Sequence, residues 1–98
     1  MNIDKTDWIH AVKFGSDDLI PVIAKDHKSK RVLMVAWMNE AALTETVSSE
    51  KATYWSRSRE SFWRKGESSG HEQRVLGIQL DCDGDVLILD VEQAGDIA

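Results

Sequence analysis

Residues 80–86, Leu-Asp-Cys-Asp-Gly-Asp-Val, set three carboxylates at alternate positions around the only cysteine of the chain. The oxygens of Asp81, Asp83 and Asp85 are hard ligands suited to magnesium or calcium, whereas a Cys82 thiolate is a soft ligand suited to zinc. One cation, two unlike cations or none are all compatible with this spacing. Aspartates flank Asp-Gly turns for reasons of backbone conformation, and a lone cysteine on an apolar strand face usually packs. Spacing alone favours that plainer reading. A helix-flanked calcium loop is disfavoured: Glu92 falls at its twelfth position, but Val86 stands at the sixth, where the sharp turn needs glycine.

A second constellation runs from residue 54 to residue 71, "YWSRSRESFWRKGESSGH". Trp55 and Trp63 bracket arginines and hydroxyls, so an indole could stack on a nucleobase while Arg57 and Arg59 meet phosphates. Lys65, Glu67, Ser69 and His71 add groups able to bind an anion or move a proton. The plainer alternatives are aromatic faces covering arginine stems and a surface histidine.

Several elements must position these groups. "VLMVAWM" (32–38) is an unbroken apolar run with β-branched members, which predicts a strand buried on both faces. Asn39 is placed to cap a helix over "EAALTETVSSE", with Leu43 and Val47 on one face. "ATYWSRSR" (52–59) predicts a strand with Thr53, Trp55, Arg57 and Arg59 on one side. The following "ESFWRKGESSGHE" reads as a loop. "RVLGIQLD" and "VLILDVEQ" read as two strands joined through Asp83-Gly84, a strong hairpin signal. Leu76, Ile78 and Leu80 then alternate onto one face, and if the strand continues, Cys82 joins them while Asp81 and Asp83 emerge opposite. Thiol and carboxylates would point apart, as two separate metals require. Trp8 and Trp37 are expected in the core.

At 98 residues the chain fits a single domain, 1–98, with one modest core. With 42% hydrophobic and 30% charged residues it has an ordinary globular composition. No stretch approaches the roughly 20 apolar residues of a membrane span, and the N-terminus lacks an apolar signal core, so the expected location is the cytoplasm. A single cysteine makes no internal disulfide. The net charge of −5 is uneven: 12 bases balance 11 acids through Arg74, and from Val75 onward six acids meet no base. Such an acidic end attracts cations and disfavours polyanions.

On "YWSRSRESFWRKGESSGH", "LDCDGD" and "VEQAGDIA" the chain resembles the phosphoribosyl-AMP cyclohydrolase family of histidine biosynthesis. The resemblance extends from about "VLMVAWMNEAAL" to the last residue, with Phe62 where leucine is expected. It implies a hydrolase that adds water across the N1–C6 bond of the adenine ring of phosphoribosyl-AMP. It also implies an α+β fold with a mainly antiparallel, barrel-like sheet and flanking helices, an intertwined homodimer, and dependence on zinc and magnesium. Magnesium carries over onto Asp81, Asp83 and Asp85, and the first zinc ligand onto Cys82. Zinc would lower the pKa of bound water from about 16 toward 7 and supply hydroxide at C6. Arg57, Arg59, Lys65, Ser69 and Trp55 are the expected substrate contacts, and His71 or Glu67 the proton carrier.

The resemblance also implies two further zinc cysteines beyond the match to "GDIA", which a symmetric partner ending at the same residue would not supply. These 98 residues taken alone are therefore expected to be an incomplete enzyme lacking its C-terminal segment, inactive or nearly so. The alternative function is a small nucleic-acid-binding module using Trp55, Trp63 and the arginines. The acidic net charge opposes it, so the expected partners are a nucleotide and a second subunit, with neither membrane nor nucleic acid.

Overall fold

The computed structural model describes residues 11–65 and 72–93. Six strands and one helix are described: β1 (Ile20–Asp26), β2 (Val32–Met38), α1 (Glu40–Ser49), β3 (Thr53–Ser56), β4 (Ser61–Arg64), β5 (Gln73–Leu80) and β6 (Leu87–Gln93). Four strands form one sheet in the order β2-β1-β6-β5, and β3 pairs with β4 in a second. β1 runs parallel to β6 while the other pairings are antiparallel, so the fold is α+β with a mixed main sheet. The expected barrel-like closure is not made. Lys51 bridges Arg74 at the β5 edge and β3 packs beside β2, but no ladder among the described strands joins the two edges.

The core fills one face of the main sheet. Ile20, Val22 and Ala24 of β1 and Leu87, Leu89 and Val91 of β6 alternate inward, against Leu43 and Val47 of α1 and against Tyr54. β1 arises from "IPVIAKD", for which the sequence reading named no element; its Pro21 precedes the β6 ladder, which begins at Val22, so the missing N–H removes no bond there. The helix forms as expected. Asn39 Oδ1 accepts the Ala42 N–H at 2.8 Å, and Glu50 closes the other end in the left-handed region at φ 62°. Thr46, fully buried, ties helix to hairpin: its hydroxyl accepts the Thr53 N–H at 3.0 Å and reaches the Thr53 carbonyl at 3.0 Å.

Three expectations need correction. β2 is not buried on both faces, because it lies at the sheet edge with Val32 58% and Val35 64% exposed. "SFWR" is not loop but β4, pairing Tyr54 with Trp63 and Trp55 with Phe62. Leu76 does not keep the alternation of β5, because the register shifts between Val75 and Gly77 and puts Val75 inward in its place.

Candidate functional site

The acidic segment lies in the connection between β5 and β6. Strand pairing ends at Leu80 opposite Leu87, and residues 81–86 turn outside the sheet. Gly84 makes the turn possible: its φ is +76°, and an added Cβ would stand 3.0 Å from the Ala11 carbonyl oxygen. Lys13 N–H donates to the Gly84 carbonyl at 2.8 Å, so the segment preceding β1 braces the turn. Inside it, Asp81 Oδ1 accepts the N–H groups of Asp85 at 3.0 Å and Val86 at 3.2 Å.

This folding brings Asp81, Asp83 and Asp85 together, with one carboxylate oxygen from each within 4.8 Å of the others. Three convergent carboxylates fit a hard divalent cation. Burial acts to raise the Asp81 carboxyl, but hydrogen bonds from the Asp85, Val86 and Gly84 backbone and with the Asp85 side chain outweigh it and hold the group low. The Asp85 carboxyl is raised, first by the hydrogen bond it shares with Asp81, then by burial and by the charges of Asp81 and Asp83. Three carboxylates this close repel one another, and a divalent cation bound among them would relieve that repulsion. Cys82 is exposed and does not join this group, nor the apolar strand face expected for it, because the strand stops two residues earlier. Among the described residues no three-ligand set includes Cys82, so they do not by themselves make a zinc site.

A cleft opens beside β2. Val35, Ala36 and Trp37 of that strand face Trp55, Ser56, Arg57, Ser58 and Trp63 of the hairpin across an open volume of about 550 Å³, with no carboxylate among the described residues that line it. Arg57 and Arg59 are not two apart on a strand face as expected. β3 ends at Ser56, and residues 57–60 form the turn to β4, with Glu60 in the left-handed region at φ 49° and the Arg59 N–H donating to Ser56 Oγ at 3.3 Å. Trp37, expected in the core, is half-buried and carries the Arg57 guanidinium over its ring at 4.3 Å. Trp55 lies edge-on to Phe62 with centroids 5.3 Å apart, and Trp63 packs on Tyr54 at 5.0 Å. Lys65 follows β4, its N–H on the Ala52 carbonyl at 3.3 Å. Arg64, another base able to meet an anion, is instead held by Glu45 at 2.9 Å.

Cleft and acidic turn share one end of the main sheet. Val22 pairs with Ala36 on one side and Leu87 on the other. The cleft-lining half of β2 and the exit of the acidic turn are therefore two strand spacings apart, about 10 Å. An arginine over an indole, further aromatic walls and a cluster of three carboxylates thus stand at one end of the sheet. Comparison with known proteins decides the family. A sequence model of phosphoribosyl-AMP cyclohydrolase matches residues 34–98. The chain is 58% identical over 92 residues to phosphoribosyl-AMP cyclohydrolase 1 of Pseudomonas fluorescens, an alignment covering 94% of this chain and 71% of the relative. It is 56% identical, with the same coverage, to the phosphoribosyl-AMP cyclohydrolase of Pseudomonas putida strain F1, and 54% identical to that of Azotobacter chroococcum, covering 69% of the latter. The chain belongs to the phosphoribosyl-AMP cyclohydrolase family. In this family member Glu67, Ser69 and His71, the expected proton carriers and loop contact, lie outside the described residues, as does Trp8. Trp37 is the cleft residue that sequence reasoning missed, since an apolar run gives no sign of which face is left open.

Proposed function

We propose that this protein opens the adenine ring of phosphoribosyl-AMP by hydrolysis between N1 and C6, as a step of histidine biosynthesis. The observation that carries the reading is family membership: relatives bearing this activity in their names align at 54–58% identity along 92 residues. The geometry supplies matching parts. A purine stacks on the indole of Trp55, and the Arg57 guanidinium takes a phosphate with the Ser56 and Ser58 hydroxyls beside it. Arg59 and Lys65 add positive charge to the same anion. Asp81, Asp83 and Asp85 would hold magnesium, which would supply positive charge to bind or orient a phosphate or ribose oxygen. Cys82 is offered to zinc as one thiolate of a larger ligand set, and His71 or Glu67 moves the proton as the bond to N1 breaks.

Self-association fits the exposed apolar residues Val32 and Val35 on edge strand β2, and a homodimer is the proposed assembly. No helix among the described residues is long and apolar enough to cross a membrane; the cytoplasm is the proposed location.

The test is direct. The protein with a complete set of zinc ligands, incubated with phosphoribosyl-AMP, zinc and magnesium, is expected to change the purine absorbance as the ring opens, and a chelator is expected to stop it. A protein that binds single-stranded polynucleotide with steep salt dependence, ignores chelators and leaves phosphoribosyl-AMP intact overturns this reading in favour of a nucleic-acid module.

A further inference from the structure

We infer that Trp37 is a positioning residue: its indole face holds the Arg57 guanidinium at the cleft so that the N–H edge of the arginine is presented to the substrate phosphate. This rests on the nucleotide reading above and assigns a role to a residue that contacts substrate only through another. Arg57 stands in an exposed turn, and a free arginine there loses much rotamer entropy when it grips a ligand. Trp37 is anchored where Arg57 is not. It lies in a paired strand opposite Pro21, between buried Ala36 and Met38.

The geometry leaves the arginine usable. With Cζ 4.3 Å from the ring centroid, the guanidinium stands over the face of the indole in a cation–π contact. Such a contact uses no lone-pair acceptor, so the guanidinium keeps N–H donors for bonds to phosphate. Among the described residues no carboxylate lines the cleft to compete for them and Arg57 makes no ion pair. Arg64, across the same hairpin, shows the contrasting case of an arginine occupied by Glu45.

A mutant cycle on the protein with a complete set of zinc ligands, with phosphoribosyl-AMP as substrate, tests this. Trp37→Leu is expected to raise KM about two- to five-fold, the size of an exposed cation–π contact, with kcat within about two-fold. Trp37→Phe, which keeps an aromatic face, is expected to recover most of the loss. In an Arg57→Ala background Trp37→Leu is expected to change nothing further, because Trp37 acts through the arginine. Equal losses in both backgrounds mean that Trp37 touches substrate itself, and an unchanged KM, or a fall in kcat instead, means that it does not position Arg57; each overturns the inference. Should Trp37→Leu fail to fold, Trp37→Met carries the same cycle. A wild-type protein that leaves phosphoribosyl-AMP intact refutes the functional reading and this inference with it, whereas an active wild type whose KM is indifferent to residue 37 refutes only the role of Trp37.

Discussion

Replacing Tyr54 by phenylalanine removes a single oxygen from the middle of the core and keeps the ring that packs against Trp63 in the cleft wall. Tyr54 is fully buried, and its hydroxyl donates to Gln73 Oε1 at 2.6 Å. Gln73 is also fully buried and passes the bond on, Nε2 donating to Gln93 Oε1 at 3.1 Å. Without the phenol, Gln73 Oε1 keeps no partner among the described residues, and an orphaned buried acceptor costs about 1–3 kcal/mol. For a chain of this size each kcal/mol lowers the melting temperature by roughly 4–8 °C. Urea unfolding followed by tryptophan fluorescence measures the loss, and a Tyr54→Phe protein within about 0.5 kcal/mol of wild type, well below that cost, refutes the reasoning. The same burial sets an alkaline limit. It pushes the Tyr54 phenol well above its ordinary value of 10.0. The unfolded chain therefore gives up this proton first, so the stabilisation is complete below pH 10 and is lost above it, by about 1.4 kcal/mol per pH unit until the folded group titrates. Because Tyr54 is the only tyrosine, tyrosinate absorbance reads this group alone and is expected to appear only as the protein unfolds. A tyrosinate signal rising near pH 10 from an intact fold contradicts this.

Other perturbations have equally definite outcomes. Gly84→Ala forces a side chain into the left-handed region and against the Ala11 carbonyl, and is expected to cost about 1–2 kcal/mol and to weaken magnesium binding together with stability; a calorimetric titration unchanged from wild type counts against the braced turn. Magnesium is expected to bind more weakly as the pH falls through the carboxylate range, because the raised Asp85 carboxyl takes up a proton before an ordinary aspartate does and that proton competes with the cation; an affinity that does not fall on acidification would argue that Asp85 is not a ligand. Thr46→Val strands the buried Thr53 N–H and is expected to lower stability by about 1–3 kcal/mol, read as a shift in urea midpoint. Glu45→Gln removes the partner of Arg64 in a largely exposed pair and is expected to change stability by less than about 1 kcal/mol, so a larger loss would show that pair to be structural.

Much of the fold was legible in the residues themselves. Asn39 before a run of helix formers, and alternating β-branched residues around Asp83-Gly84, act through the local backbone, and α1 and the β5–β6 hairpin formed where those signals stand. The motifs around Trp55 and Asp81 carried the family, because they depend on residue order and need no coordinates. The convergence of three carboxylates was only one of several open readings, since alternation along a continued strand puts Asp81 and Asp83 on one face but leaves Asp85 beyond the turn, where its place depends on how the hairpin closes.

What the tertiary structure decided is where chain neighbours cease to govern. β2 is as apolar as a central strand, yet it became an edge because β1 chose β6 as its other partner, and a sequence does not state which strands will be adjacent. The turn at residues 57–60 contains no glycine, proline or asparagine, so nothing local announced β4, and Arg57 moved from a strand face to a loop above Trp37. Composition and spacing determined which chemical groups this protein owns and which family it joins. Long-range strand pairing, which depends on contacts between residues far apart in the chain, decided that aromatic cleft and acidic turn open at the same end of the sheet.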